Sequence, residues 1–285
     1  MTHARTALVT GANQGLGRAL VEALAARMNA EDLILLTGRD PDRVQAAAAA
    51  APRVRARVEG RVVDVRDGGA IDALAAELGA VDIVFSNATA RMSPDADPRD
   101  EIDAVAETSN LATSHMLRAF APRLRPGGRL IIVASALGTL DKLDARVRPR
   151  FAAATASLDA VDGLVAEWRD AVHAGRAEHE GFGTWLNIPS KVAQVAAVRA
   201  VARERRVADL AEGRLIVALC PGLIDTDASR PWFQDMSRAQ TPEQAAEALL
   251  GLALSVDVDA AYYGELVQFG EVLDWRGPVA VAGAR

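Results

Sequence analysis

The amino-acid sequence predicts an α/β protein whose strands form a doubly wound, mostly parallel sheet of seven strands. Short apolar segments alternate with longer helical segments along the chain of 285 residues. The first apolar segment runs into a glycine-rich turn that opens a helix, and polar residues follow several of the later ones. Apolar strands of this kind are typical of parallel sheets covered by helices on both faces, and such sheets bind ligands beyond the carboxyl ends of their strands.

The predicted strands are the short apolar segments at residues 7–10, 33–37, 62–63, 83–85, 130–134, 215–219 and 266–269. Helical patterns fill the intervals at residues 18–28, 40–51, 69–78, 100–124, 191–211 and 242–254. Because no linker rich in Ser, Gly or Pro divides the chain, we expect one domain over residues 1–285.

The turn after the first strand, residues 10–17, has the sequence Thr-Gly-Ala-Asn-Gln-Gly-Leu-Gly. Its glycines lack Cβ atoms, so the turn can stay tight and backbone N–H groups can approach a pyrophosphate at the positive end of the following helix. An ordinary strand-to-helix turn is the alternative, but the later segments complete a dinucleotide-binding pattern. The expected cofactor-binding residues of this turn are Gly11, Asn13, Gln14, Gly15, Leu16 and Gly17.

Arginines follow the second strand, where residues 37–40 read Thr-Gly-Arg-Asp. An acidic residue at this place would bind the adenosine ribose 2′-hydroxyl, whereas Arg39 and Arg43 can pair with a 2′-phosphate. The pattern therefore favours NADP(H) over NAD. The alternatives are that the arginines are only solvated surface residues, or that Asp40 neutralises Arg39.

The ends of the third, fourth and sixth strands also carry candidate cofactor contacts. The Asp64 carboxylate could reach the exocyclic amine of an adenine, and a small residue follows a polar one after the fourth strand. Either pair alone could be a plain turn. A rigid turn after the sixth strand leads to groups that could hold a nicotinamide carboxamide. The expected contacts are Asp64, Val65, Asn87, Ala88, Pro221, Gly222, Leu223, Ile224 and Thr226.

Composition excludes several classes of function. Half of the residues are apolar, the net charge is -6 and the isoelectric point is near 5.4, which argues against nucleic acid or an anionic membrane as partner. Cys220 is the single cysteine, so no disulfide framework is possible and no metal cluster is expected. Residues 1–5 lack the regions of a secretory signal and no apolar stretch could span a bilayer, so we expect a cytoplasmic protein.

Taken together, the motifs resemble the short-chain dehydrogenase/reductase superfamily, which implies a Rossmann-like fold. The motif set also includes Asn110, Ser135 and Lys191. Residues 37–40, Asn13 and a long insertion look most like the monomeric NADPH-dependent carbonyl reductases. By that resemblance Asn13, Arg39 and Arg43 would hold the 2′-phosphate.

The insertion, residues 139–186, precedes the active-site helix and is much longer than in most members of the family. Residues 156–177 within it have the pattern of an amphipathic helix. By the same resemblance, the insertion covers helices that relatives use to oligomerise, which implies a monomer. Among the aromatic residues, Phe151 and Trp168 are expected to anchor the insertion. The others flank the site and predict a roomy apolar pocket for a large aromatic substrate: Phe182, Trp185, Trp232 and Phe233.

The chain lacks the acid that the family uses. In the family a tyrosine stands four residues before the lysine, and here Asn187 takes its place. An asparagine amide has no proton to give near neutral pH. Tyr262 and Tyr263 precede the last strand and have no motif support. The proton would come from a water held by Asn187 and Ser135, from Lys191, or from a phenol beside the substrate's own ketone.

The resemblance gives the remaining residues their roles. Ser135 would bind the carbonyl oxygen, Lys191 would bind the nicotinamide ribose and favour a developing alkoxide, and Asn110 would support Lys191 through a water. In the alternative interpretation these are a strand-end serine, a surface lysine and a helix-face asparagine, and Asn187 only caps a helix.

The sequence therefore predicts an NADPH-dependent ketoreductase that acts on a large aromatic, polyketide-like substrate. The closest functional analogues are the tyrosine-lacking ketoreductases of aromatic polyketide antibiotic pathways, which act on angucyclinones. Two alternatives stay open. The first is a non-redox cyclase or dehydratase on the same scaffold, and the second is an inactive NADPH-binding protein.

Overall fold

The computed structural model describes residues 3–52 and 54–277, and within these ranges eight strands form one sheet in the order β3-β2-β1-β4-β5-β6-β7-β8. The strands are β1 Thr6–Val9, β2 Leu33–Gly38, β3 Arg57–Val62, β4 Val81–Ser86, β5 Leu124–Val133, β6 Leu215–Cys220, β7 Leu266–Gln268 and β8 Glu271–Leu273. The helices are α1 Gly15–Arg27, α2 Pro41–Ala50, α3 Gly68–Leu78, α4 Pro98–Val105, α5 Ala112–Phe120, α6 Arg148–Ala154, α7 Leu158–His173, α8 Asn187–Ala211 and α9 Pro242–Ala253.

The predicted doubly wound parallel sheet is confirmed. Strand β1 lies between β2 and β4, with Val9 paired to Leu36 on one side and to Phe85 on the other. The chain thus crosses from one half of the sheet to the other after β3. Ligands of doubly wound sheets bind at this crossover, beyond the carboxyl ends of the central strands. The glycine-rich turn leaves β1 at that point.

The sheet has one strand more than predicted. Strand β8 is antiparallel to β7, and the two are joined by Phe269 and Gly270, which have φ angles of 50° and 80°. Positive φ at both central residues of a two-residue loop is the geometry of a tight β-hairpin. The sequence prediction missed β8 because its three residues are largely exposed and do not form a buried apolar segment.

Strand β3 was also misplaced, since the predicted segment at 62–63 overlaps only its last residue. It pairs with β2 alone and is therefore an edge strand in the described sheet. Its alternate residues Arg57, Glu59 and Arg61 form ion pairs along one face. Charged residues blunt an exposed edge, and they also hide the apolar pattern that the prediction relied on.

The long helix predicted at residues 100–124 is interrupted. It consists of α4, a π-helical turn at residues 106–111, α5, and a short 3₁₀ turn. Single π turns inside α-helices occur frequently at functional sites. This π turn carries Ser109 and Asn110, which are both buried.

The insertion contains two helices instead of the one predicted. Helix α7 confirms the amphipathic segment with narrower bounds, and α6 was missed. Phe151 of α6 and Trp168 of α7 are each 1% exposed and anchor the insertion as expected. Helix α7 packs against α4, α8 and the π turn. Its Asp162 accepts a hydrogen bond from the Ser114 hydroxyl at 2.6 Å and pairs with Arg118 at 2.8 Å.

The described residues contain neither a candidate membrane span nor a cluster of metal-ligating side chains. None of their helices combines the length and the hydropathy needed to cross a bilayer. No group of three or more His, Cys, Asp or Glu side chains in residues 3–52 and 54–277 is arranged to hold a metal ion. Cys220 is buried at the end of β6, and burial raises the pKa of its thiol.

Candidate active site

The glycine-rich turn is packed so closely that side chains are excluded from it. Gly11 and Gly15 have φ angles of 61° and 53°, a region that residues with a side chain rarely adopt. A Cβ atom on Gly17 would lie 2.4 Å from the Gly11 carbonyl oxygen and 2.6 Å from Asn87 Nδ2. The close approach leaves the N-terminus of α1 open to an anionic ligand.

We expect Gly17→Ala to lower the free energy of unfolding by about 1–3 kcal/mol, since the added methyl group collides with backbone. It should also weaken NADPH binding, measured by quenching of tryptophan fluorescence. Gly163→Ala in α7 is the matched control because nothing lies within 4 Å of the added Cβ. It should stabilise the protein by about 0.5–1 kcal/mol. Equal melting temperatures for Gly17→Ala and Gly163→Ala would show that the turn is not closely packed around Gly17.

Strands β1 and β4 are tied together beside this turn. The Thr10 hydroxyl accepts hydrogen bonds from the backbone N–H groups of Asn87 and Ala88 at 2.9 and 3.0 Å. The Asn87 amide donates to the carbonyl oxygens of Thr10 and Gly11. The predicted contacts after the first and fourth strands therefore lie in one cluster at the crossover of the sheet.

The residues predicted to bind a 2′-phosphate lie around the end of β2. Asn13 Oδ1 would be 3.1 Å from a Cβ on Gly38, and the Arg43 guanidinium donates to the Gln14 side chain within the glycine-rich turn. Arg39 is exposed. Asp40 acts as the N-cap of α2 by accepting from the Arg43 backbone N–H at 3.1 Å. Among the described residues no ion pair joins Asp40 to Arg39.

Asp64 is engaged by a neighbouring arginine that sequence reasoning did not consider. The Arg66 guanidinium donates to both carboxylate oxygens, the shortest contact being 2.6 Å. Hydrogen bonds from Arg66 and the nearby charge of Arg39 hold the pKa of the Asp64 carboxyl below its usual range. An adenine amine would share this carboxylate with Arg66, while Val65 beside it is buried.

The segment after β6 lies against the glycine-rich turn. The Gln240 amide donates to the Pro221 carbonyl oxygen at 2.9 Å, and Ile224 forms a bridge with the same glutamine. The Thr226 backbone N–H donates to the Ser229 hydroxyl at 3.1 Å. A Cβ on Gly15 would be 3.8 Å from Thr226 Cγ2, so the segment after β6 borders the glycine-rich turn at this point. The intervening predicted residues, Gly222 and Leu223, are partly buried.

Ser135 and Lys191 belong to elements that pack together. Ser135 follows β5, and its hydroxyl accepts from the Leu137 backbone N–H at 3.2 Å, which starts a 3₁₀ turn at residues 136–138. A Cβ on Gly138 in that turn would be 3.1 Å from the Lys191 carbonyl oxygen. The turn that follows the strand-end serine therefore packs against the backbone of α8 at the lysine.

Asn187 is the first residue of α8, which begins four residues earlier than predicted. Leu186 is the N-cap, and within the described residues the Asn187 side chain makes no capping or other hydrogen bond. The interpretation of Asn187 as a helix cap is therefore wrong. Neither of the chain's tyrosines substitutes for the missing acid, because the Tyr262 hydroxyl donates to the Gly270 carbonyl oxygen and the Tyr263 hydroxyl to Asp209.

Sequence reasoning missed Gln194, which forms a hydrogen bond with Lys191, the candidate catalytic lysine. Lys191 Nζ donates to Gln194 Oε1 at 2.8 Å. Burial lowers the pKa of Lys191 to about 8, because desolvation disfavours the ammonium. The signal in the sequence was a glutamine one helical turn after the lysine, on a face made otherwise of alanine and valine.

Asn110 contacts the residue next to Lys191. Its Nδ2 donates to the Ser190 carbonyl oxygen at 2.8 Å, and its Oδ1 accepts from the Ser190 hydroxyl at 3.0 Å. Both ends of the amide are therefore used within the protein. The π turn and α8 are locked together by these two bonds.

The aromatic residues divide into two groups. The rings of Trp185 and Trp232 lie 5.8 Å apart at 32°, so they join the insertion to the segment after β6, and Phe233 is 45% exposed. Phe182 is instead 3% exposed and packs edge-on against Phe151 at 6.3 Å, as an anchor does. It reaches only the wall of a cavity of about 360 Å³, which Trp185 and Ile188 also line. Ile188 follows Asn187, so the cavity borders the start of α8, but charged side chains such as Arg146 and Glu178 also line it, unlike the apolar pocket that the sequence predicted.

The comparisons with known proteins agree with this architecture. The family model of the short chain dehydrogenases matches residues 5–175. Carbonyl reductase (NADPH) 1 of Sus scrofa is 28% identical over 288 residues, which cover 97% of this chain and 96% of the relative. Carbonyl reductase (NADPH) 3 of Homo sapiens is 29% identical, covering 95% and 98%.

Solved structures show the same fold. Salutaridine reductase from Papaver somniferum superposes with a TM-score of 0.76 at 18% identity, covering 92% of this chain and 99% of the other. The NADPH-bound carbonyl reductase from chicken fatty liver superposes with a TM-score of 0.66 at 20% identity, covering 96% and 100%.

Proposed function

The chain belongs to the short chain dehydrogenase family, and on that premise we propose that it reduces a carbonyl group of a large aromatic or polycyclic, polyketide-like substrate with NADPH. It is an NADP-dependent oxidoreductase with NADP(H) as cofactor. The observation that carries this function is the cofactor cradle, by which we mean the candidate cofactor contacts at residues 11–17, 39–43, 64–65, 87–88 and 221–226. It is combined with relatives named as NADPH carbonyl reductases, which match nearly the full length of the chain. Bound NADPH supplies a hydride.

The residues at both ends of the cradle fit this cofactor. Gly17 and Gly11 allow the turn to pack closely against its neighbours, and a pyrophosphate would bind beside them at the N-terminus of α1. Asn13, Arg39 and Arg43 would hold the 2′-phosphate, since the guanidinium groups offer paired donors to phosphate oxygens. The segment that runs from Pro221 to Thr226 would hold the nicotinamide carboxamide.

Reduction of a carbonyl also requires a proton at its oxygen, and this chain supplies no tyrosine for that step. Ser135 would bind the carbonyl oxygen, and the Lys191 charge would stabilise a developing alkoxide. Asn187 can hold a water or the substrate but cannot donate a proton. We infer that the proton comes from the substrate, through a phenol adjacent to the ketone, or from a water beside Asn187.

The aromatic pair of Trp185 and Trp232 supports a flat substrate. The two rings pack against each other from two segments that flank the site, and the outer surface of the pair could stack on an aromatic ring system. Phe233 adds apolar surface beside them. The substrate would be a polycyclic ketone of the angucyclinone kind, as in antibiotic biosynthesis. Phe182 contributes support behind this surface.

We also propose that the protein is a cytoplasmic monomer. Helix α7 of the insertion packs against α4 and α8. By the resemblance to the carbonyl reductases, the insertion would cover helices that other relatives use to oligomerise. The contacts of Asp162 with Ser114 and Arg118 fix the insertion in this position.

A matched pair of polycyclic ketones tests the proposed reaction. One carries a hydroxyl group next to the carbonyl and the other lacks it, and each is incubated with NADPH labelled with deuterium at the transferable position. We expect deuterium at the carbinol carbon of the product, with the hydroxylated ketone reacting ~10²-fold faster because it supplies the missing acid. Tight binding of NADPH without transfer to any ketone would favour an inactive binding protein. Product formation without oxidation of NADPH would indicate a non-redox enzyme.

A further inference from the structure

Gln194 is a buried amide whose hydrogen bonds are all made inside the protein. It lies on α8 one turn after Lys191 and is 2% exposed. Its Nε2 donates to the Ser109 carbonyl oxygen at 2.9 Å and to the Thr113 hydroxyl at 3.1 Å. Because both neighbours accept from the amide nitrogen, the oxygen Oε1 must point the other way, toward Lys191 Nζ at 2.8 Å.

The same network continues to the loop after β4. The Ser109 hydroxyl contacts the Thr89 hydroxyl at 3.0 Å and accepts from the Ala90 backbone N–H at 3.1 Å. This loop begins with the Asn87 and Ala88 pair at the crossover of the sheet. The lysine is thereby connected through Gln194 and the π turn to the strand end that borders the cofactor cradle.

We propose that Gln194 is a positioning residue that fixes the Lys191 ammonium for the nicotinamide ribose. The inference rests on the proposed function, because it assigns Gln194 to the same site. An ammonium has three donors, so one bond to Gln194 leaves two, which match the two hydroxyls of a ribose. The Asn110 amide makes its hydrogen bonds with Ser190, and among the described residues none of them reaches Lys191.

Besides Gln194, few groups affect the pKa of Lys191. The Cys220 thiol, at the end of β6, is the titratable group whose charge would interact with Lys191. That thiol accepts from the Gln268 amide at 3.2 Å, and burial raises its pKa. An amide oxygen that accepts from the ammonium stabilises the charged form. Removing this oxygen must therefore lower the pKa of Lys191, whereas a carboxylate in its place must raise it.

The chain has two lysines, Lys142 and Lys191, which makes a direct measurement possible. Protein labelled with ¹³C at lysine Cε is titrated by NMR, and a Lys142→Arg sample assigns the two signals. Gln194→Met should lower the titration midpoint of Lys191 by about one pH unit, the size expected for one hydrogen bond to a charged group. Gln194→Glu should raise the midpoint. Thr113→Val, which removes a partner of Gln194 without touching Lys191, should leave it near the wild-type value.

Cofactor binding gives an independent readout. Gln194→Met should weaken NADPH binding about tenfold, because Lys191 is no longer held in place. Thr113→Val should weaken NADPH binding less than Gln194→Met does. An unchanged midpoint and unchanged NADPH affinity in folded Gln194→Met would overturn the proposal. If that variant does not fold, a midpoint in Gln194→Glu no higher than that of the wild type would overturn it as well. Neither measurement needs a ketone, so a failure of the proposed reaction would be seen separately.

Discussion

Replacing Lys191 with methionine is expected to lower kcat/KM by ~10²–10³-fold, the loss typical of removing one charge that stabilises a developing oxyanion. The methionine keeps the unbranched shape of the side chain but cannot donate to the ribose or to Gln194. The affinity for NADPH should fall with the rate, because the lysine contributes to both. Steady-state kinetics and a binding titration measure the two effects.

The pH dependence of kcat/KM tests whether the charge of Lys191 is the one that supports the reaction. Burial holds the pKa of Lys191 at about 8, well below its ordinary value of 10.5, so the ammonium is lost as the pH rises through 8. In the wild-type protein kcat/KM should therefore decline above about pH 8. In Lys191→Arg, where the charge persists to pH values above 12, the decline should disappear while part of the activity remains. If kcat/KM of Lys191→Arg declines above about pH 8 as in the wild type, a group other than Lys191 causes the decline.

Asn187→Tyr is expected to raise kcat/KM for a simple ketone by ~10²-fold, the lower end of what a positioned general acid contributes. Asn187 and Lys191 are four residues apart on α8 and so lie on one face of the helix. The Asn187 side chain makes no hydrogen bond in the described part of the chain, so the substitution breaks none. The measurement compares a ketone without a neighbouring phenol before and after the change.

Asn187→Phe is the control, because it adds the same ring without the hydroxyl. It should give no gain on the simple ketone. The phenolic ketone should gain little from the tyrosine, since it already carries its own acid. A fall in its rate would show that Asn187 positions the substrate or a water. Equal rates for the tyrosine and phenylalanine variants would mean that the site does not lack an acid.

Several features of the site were predictable because their chemistry is local in sequence. The glycines of the turn at residues 10–17 follow directly from the need for a backbone that approaches a phosphate. The arginines at 39 and 43 follow a strand end, and the distance of four residues between Asn187 and Lys191 places them on one helix face. Each of these inferences uses neighbours along the chain and the known geometry of strands and helices.

The sequence by itself thus determined the doubly wound sheet and the place of the glycine-rich turn, and it predicts that Asn187 stands where the family has a tyrosine. Only the tertiary structure decided how side chains distant in sequence are paired. The bonds of Gln194 to Ser109 in the π turn and to Thr113 in α5 span more than eighty positions. Likewise, Phe182 is buried against Phe151, which lies 31 positions earlier in the chain. Local patterns fix which backbone element forms, but the partner of a buried polar group depends on how elements pack in space, and no periodicity in the sequence records that.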